Sequence, residues 1–306
     1  VNPLLETVPN FSEGRDPAFL RDVVDVMEGG GVEVLDASSD PDHHRSVVTA
    51  IGPPGAIVRS LEAAARLALE RIDLNRHEGV HPRVGALDVA PVIPLGGTPR
   101  RIAEDTARAV GEALVSLGIP VWWYAWSSPG PVRRLGVLRR GGFEALRSGF
   151  PPDRPADLPL GAPGPHPTAG VTCVGARALL LAWNVDVEGC SIAALRRIAA
   201  ELREAGGGFE GLRTLALELP QQDRLQLSMN LEDVERHDPM RIFEAIEHHV
   251  HGAGGHVIGT EVIGLIPDAL VFPAAARRLH LLDARSDRLL SSRVVRHLIH
   301  GAPADR

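Results

Sequence analysis

The sequence predicts an α+β protein made of two ferredoxin-like (βαββαβ) subdomains, the first with an extra α-β, and a ligand cleft between them. Three observations predict this. Strand-like and helix-like segments run β-α-β-β-α-β from Leu4 to Leu95, and the same order restarts at Ala178 and ends at Ile263. A stretch dense in Pro and Gly, Gly149 to Gly170, separates the two runs. The chain of 306 residues is 44% hydrophobic and 23% charged, which is long and apolar enough for two cores and excludes disorder as the main state. The expected division is 1–176, including the Pro/Gly segment, and 177–306.

Each element has its own local reason. Leu4 to Val8 reads as a short strand. Asp16 to Glu28 has Phe19, Leu20, Val23, Val24 and Met27 at helical spacing, and Gly29 to Gly31 stops it. Val32 to Ala37 and Val47 to Ile51 are β-branched runs. Pro53 and Pro54 open a long helix with a stripe of Val58, Leu61, Ala65, Leu67 and Ile72. Gly85 to Leu95 reads as strand, Ile102 to Leu117 as helix and Val121 to Trp126 as a buried strand. In the second run Ala178 to Val187 is strand, and Ser191 to Ala205 is helix with a Ser cap and a Gly stop. Leu212 to Leu219 and Leu225 to Leu231 are strands, Pro239 to Val250 is helix, and Val257 to Ile263 is strand. Leu289 to Ile299 is expected to form a final helix.

The Pro/Gly segment cannot continue helix or sheet, because Pro lacks a backbone donor. A loop of that length in a compact protein is usually functional, and it is expected to roof the cleft.

Composition excludes several classes. All 32 basic residues are Arg, so a Lys Schiff base, a PLP-anchoring Lys and a P-loop Lys are ruled out. The net charge of -7 argues against a nonspecific nucleic-acid partner. The two cysteines, Cys173 and Cys190, cannot form a disulfide framework and are expected to pack. No apolar window of about 20 residues is free of charge, so no membrane span is expected. With no leader signal read at the start of the sequence, the default expectation is a cytoplasmic protein.

Three short motifs look like chemistry and lack its context. His77-Glu78-Gly79-Val80-His81 matches H-E-x-x-H, which needs a helix to bring both imidazoles to one metal. Here Gly79 interrupts the motif and Pro82 pushes His81 out of the helical region. Gly206 to Gly211 matches G-x-G-x-x-G but follows a helix and precedes a strand, the wrong order for a dinucleotide site. His248, His249, His251 and His256 cluster at a helix end, where imidazoles suit the macrodipole without a metal. No metal is expected.

The better candidate is a set of three polar, Gly-punctuated segments at strand ends of the first run, where binding groups are commonly mounted. They are residues 8–15 with Asn10, residues 39–45 with Asp40 and Arg45, and residues 76–88. The last contains His81-Pro82-Arg83-Val84-Gly85-Ala86-Leu87-Asp88. Pro82 restrains the backbone beside His81, and Gly85 permits close approach. A fixed imidazole beside a fixed guanidinium suits an anionic substrate that exchanges a proton near neutrality. A polar turn with a satisfied His is the competing reading of the same residues.

At these residues the sequence resembles the glutamate formiminotransferase family, the transferase part of formiminotransferase-cyclodeaminase. The resemblance rests on VPNFSEGR at 8–15, SDPDHHRSVVTAIG at 39–52, HPRVGALDVAPVIP at 81–94 and RRGGFEAL at 139–146. It continues through HPTAGVTCVGAR at 166–177, LLAWNVDV at 180–187 and SMNLED at 228–233, and so covers nearly the whole chain in order. It implies a two-subdomain fold and a homodimer. The implied activity is formimino transfer from N-formimino-L-glutamate to tetrahydrofolate, a co-substrate, in histidine degradation. His81 takes the place of the catalytic base. Folate contacts fall on the segment with Gly161, Gly164, Pro165, His166, Pro167, Thr168, Ala169 and Gly170, and on Thr214 and Ala216.

The chemistry fits. N5 of the reduced pterin loses a proton as it attacks the amidine carbon, and His81 is placed to take it. Asp40 or Asp36 is a candidate to balance charge at the tetrahedral centre. Arg45 and Arg83 are candidates to hold carboxylates, with Asn10, Gly85 and Asp88 completing the expected substrate set. The chain departs from the family pattern at Val80 (usually Glu), at His44 (usually Asn), at Tyr124 to Ser127 and at Leu212 to Leu217. Two alternatives follow from the departures: a noncatalytic folate-binding paralogue, and a folate-dependent formyltransferase with another donor.

Overall fold

The computed structural model describes residues 2–220, 222–232, 234, 237–281 and 289. Contacts divide the chain into two units, Asn2–Ala178 and Leu179 onward.

The first unit contains β1 (Leu4–Thr7), β2 (Asn10–Phe11), α1 (Pro17–Gly29), β3 (Glu33–Asp40), β4 (Arg45–Gly52), α2 (Pro54–Arg71), β5 (Leu87–Leu95), α3 (Arg100–Ser116), β6 (Val121–Trp123), α4 (Leu135–Leu138) and β7 (Thr172–Ala176). β1 and β2 are two pieces of one strand, both lying between β4 and β5. With β3 on β4 this gives the antiparallel ferredoxin-like order of fourth, first, third and second strand. β7 and β6 extend the sheet in parallel beyond β5.

The helices follow from their ends and stripes. Asp16 caps α1, its carboxylate accepting from the Ala18 amide at 2.9 Å, with Pro17 at the first turn. Phe19, Val23 and Met27 of α1 and Ile57, Leu61 and Ala65 of α2 are fully buried in one core with Leu5 and Val48. α3 joins them through Ala103, Ala107, Val110 and Leu114. The segment 135–150 contributes to a second core, where Leu138 and Leu146 pack with Val84, Val89, Trp122, Tyr124, Val171 and Cys173.

The second unit contains β8 (Leu180–Glu188), α5 (Ile192–Leu202), β9 (Leu212–Leu219), β10 (Arg224–Glu232), α6 (Pro239–Gly252), β11 (His256–Ile263) and α7 (Asp268–Leu279). Its antiparallel sheet runs β11-β8-β10-β9, again fourth, first, third and second. Ser191 caps α5 as expected, accepting from the Ala194 amide at 3.2 Å. Leu195, Ile198 and Leu202 of α5 and Ile242, Ile246 and Val250 of α6 fill the core against Trp183, Val185, Leu227 and Met229.

Some elements differ from expectation, among them β2, α4, β7 and α7. β7 was not anticipated, because a five-residue strand with Cys and Gly shows no alternation when both faces are covered. α7 was not anticipated either, since it carries Pro273 inside. The final helix expected at Leu289 to Ile299 falls, apart from its first residue, outside the described residues. Among the described residues no helix is long and apolar enough to cross a membrane.

Candidate active site

His81 sits in the irregular loop between α2 and β5 and is partly exposed. Its Nδ1 lies 2.8 Å from the carbonyl oxygen of Pro82. A carbonyl only accepts, so Nδ1 carries the proton and Nε2 holds the basic lone pair. Burial holds the imidazole well below the ordinary His pKa, and the charges of Arg45, Arg139 and His43 push the same way. His81 is therefore neutral near neutrality, as a proton acceptor must be.

The loop is held by a buried carboxylate. Asp88 is 0% exposed, and its Oδ1 accepts the backbone amides of Val84 at 2.8 Å and Gly85 at 3.2 Å. Its Oδ2 accepts Arg45 Nη1 at 2.9 Å and Arg139 Nη2. Burial alone would raise its pKa, but Arg139 and Arg45 outweigh that and keep it ionised. All four lone-pair directions of Asp88 are taken by protein donors.

The β3–β4 turn supplies the next wall. Asp40 accepts both the His43 backbone amide at 2.7 Å and His43 Nδ1 at 3.0 Å. The His43 ring lies 6.0 Å from that of His81. Asp40 is thus partnered within its own turn. Arg45 opens β4 and donates from Nε to Asn10 Oδ1 at 2.9 Å, while Asn10 Nδ2 donates to the Val8 carbonyl at 2.7 Å. Burial lowers the Arg45 pKa to about 10, still far above neutrality.

Arg83 is nine-tenths buried, and its fork is filled by Glu144, with Nη1 and Nη2 donating at 3.0 and 2.6 Å. Nη2 also donates to the His77 carbonyl at 3.1 Å. Both terminal nitrogens of Arg83 are thus engaged by protein. Arg139 and Glu144 thus tie the segment 139–146 to the His81 loop. Sequence reasoning gave neither a role; the RRGGFEAL block was its only signal.

The Pro/Gly segment ends on the same loop. Gly85 and Gly170 form an isolated bridge, Ala86 donates to Ala169 at 2.9 Å, and Val171 donates to Val84 at 3.0 Å. A Cβ on Gly85 would lie 2.4 Å from the Val171 oxygen, and one on Gly170 2.0 Å from the Val84 oxygen. His166 Nδ1 accepts the Ala169 amide at 3.1 Å and the Thr168 amide at 3.3 Å. The Thr168 carbonyl accepts from Leu74 at 2.9 Å, and that of Pro167 from Asn75 Nδ2 at 3.0 Å. Residues 166–170 are thereby brought to the loop that carries His81. Among the described residues no hydrogen bond ties Gly161, Gly164 or Pro165 to it.

Three further expected residues stand in regular strands. Asp36 pairs with Thr49 in mid-strand, four residues from the turn that holds Asp40, or about 13 Å along β3. Thr214 and Ala216 stand on the face of the second sheet that packs with α5 and α6, and Thr214 is 4% exposed.

The H-E-x-x-H stretch is irregular loop, not helix, so its imidazoles lack the one-face geometry of a zinc site. His77 Nε2 donates to the His44 carbonyl at 2.9 Å, and the two rings stack at 4.2 Å. Burial lowers its pKa to about 4. Cys173 is fully buried beside Asp88, which together push its thiol up to about 12 and leave it a packing residue.

Comparison with known proteins agrees with this architecture. A family profile described as formiminotransferase domain, N-terminal subdomain, matches residues 4–177, and one described as formiminotransferase domain matches residues 182–290. A glutamate formimidoyltransferase of Streptococcus pyogenes is 35% identical over 92% of this chain and 94% of its own. One of Thermoplasma acidophilum is 33% identical over 91% and 93%. The chicken formimidoyltransferase-cyclodeaminase is 32% identical over 89% of this chain and 52% of its own length.

Proposed function

Because the chain belongs to the formiminotransferase family, we propose that it moves the formimino group of N-formimino-L-glutamate to N5 of tetrahydrofolate, with His81 as the general base. The products are 5-formiminotetrahydrofolate and L-glutamate. The observation that supports the base role is the fixed tautomer of His81: Nδ1–H is held by the Pro82 carbonyl, and Nε2 is left with its lone pair.

N5 attacks the amidine carbon and forms a C–N bond. Its proton passes to His81 Nε2 as the tetrahedral centre forms. The imidazolium then returns that proton to the glutamate nitrogen as the old C–N bond breaks. Each step is acid–base, and holding both substrates together supplies much of the acceleration. The loop end at 166–170 is the segment that would carry folate.

The test is direct. Purified protein is incubated with formiminoglutamate and tetrahydrofolate, and 5-formiminotetrahydrofolate is measured. Wild type is expected to exceed His81→Ala by about 10²–10⁴-fold. Equal rates at background for both proteins would reject this substrate pair.

A further inference from the structure

Arg45 and Arg139 converge on one buried carboxylate, Asp88. Two guanidiniums against one carboxylate leave a surplus of one positive charge in a nearly water-free place. A buried charge without a counter-charge is unfavourable, and the usual remedy is an anion. Both arginines also have donors to spare. Arg45 engages Nε and Nη1, and Arg139 engages Nη2 with Asp88. The hydrogen bonds that hold them use neither Nη2 of Arg45 nor Nη1 of Arg139, and Nε of Arg139 is buried without a partner.

Arg139 is also held rigidly. It follows α4, and Arg154 Nη1 donates to the carbonyls of Leu138 at 2.8 Å and Arg140 at 3.0 Å on either side of it. The fork is therefore aimed before any ligand arrives, which spares the ordering entropy of a long side chain.

We propose that Arg139 and Arg45 form the docking fork for a substrate carboxylate, that of the formimino donor. The idea rests on the function proposed above and adds Arg139 to the site. The groups around His81 are Arg45 on β4, Arg139 after α4, and His43 of the β3–β4 turn with Asp40 behind it; Asp88 lies behind the arginines. In the free enzyme burial first, and the two arginines next, hold His81 below the ordinary His range. A carboxylate laid across them cancels part of that field, so the base gains affinity for a proton when the donor is bound.

The experiment uses Arg139→Gln, with Arg139→Lys as a second variant that keeps the charge and loses the fork. KM is measured separately for formiminoglutamate, for tetrahydrofolate and for a tetrahydropterin lacking the glutamyl tail. L-Glutamate binding is followed by calorimetry. The expected result for Arg139→Gln is a donor KM raised about 10- to 100-fold, with glutamate binding weakened equally. KM for both pterins should stay within about twofold, and Arg139→Lys should fall between. The acid limb of kcat/KM should move to higher pH in Arg139→Gln, because a positive neighbour of His81 is gone; a structural role alone would not move it. If KM rises for tetrahydrofolate but not for the tailless pterin, the fork holds the folate's carboxylate and the donor assignment fails. If no KM changes and glutamate binds equally, the fork itself is rejected. Should wild type not turn over formiminoglutamate, calorimetry of wild type against both variants still decides the anion site, separately from the proposed reaction.

Discussion

Arg83 and Glu144, 61 residues apart in sequence, meet in a two-pronged ion pair that fastens the loop bearing His81 to the segment 139–146. Such a fork fixes orientation as well as distance. Glu144 is half exposed, so solvent screens the pair. Glu144→Gln should therefore lower stability by only about 1 kcal/mol, yet reduce kcat/KM by about tenfold, since the proposed base, displaced by an ångström, would lose much of its effect. Denaturant unfolding and kinetics on the same samples separate the two.

The His81 imidazole is depressed by burial first and by Arg45, Arg139 and His43 next. With His81 as the proposed base, the neutral form is the active one, and activity is lost as pH falls through its pKa. The acid limb of kcat/KM should lie below the ordinary His value of about 6.5. A pH profile from 4 to 8 checks this, and a limb above 7 would contradict the environment described.

Asp88→Asn would leave two buried guanidiniums without their carboxylate. Breaking one side of a buried ion network typically costs about 3–5 kcal/mol. The expected outcome is a large fall in melting temperature, read by calorimetry, with Cys173→Ala as a mild control.

Gly170→Ala should be among the most damaging single-methyl additions. Gly170 has φ +71, and the new Cβ would meet the Val84 oxygen at 2.0 Å. The expected loss is about 3 kcal/mol or more. Gly97→Ala has a similar φ of +82 with nothing within 4 Å, so it should lose only about 1–2 kcal/mol. Urea midpoints compare them.

His77 is held neutral, its pKa lowered from 6.5 to about 4. The unfolded chain thus binds more protons than the folded one between those values, and the stability His77 confers is lost as pH falls from 6.5 toward 4. His77→Gln, which can keep the donor to the His44 carbonyl, should flatten that part of the melting-temperature curve. An unchanged slope would rule His77 out as its source.

The sequence made the two βαββαβ runs legible because their helices carry clean 3.6-residue stripes and their strands β-branched runs. β2 and β7 were hidden: a two-residue strand has no period, and Thr172–Ala176 is buried on both faces. His81 and Arg45 stood out in the sequence as polar residues of Gly-punctuated segments at strand ends, whereas 166–170 was singled out by the family resemblance. Partner choice was not legible. That Arg83 spends its fork on Glu144, that Asp88 gathers two arginines, and that Thr214 faces the helices are all settled by distant segments. Composition and spacing carry no record of such meetings. Arg139 was missed for the same reason, as one of two adjacent arginines beside a Gly pair.

At the seam between Gly85 and Gly170 two main chains touch with no side chain between them. Such a joint has no rotamer to relax and no slack to share out. Sequence libraries should register this as a sharp boundary. Randomising 160–164 would leave many survivors, while randomising 84–86 or 169–171 would return almost only the parental residues.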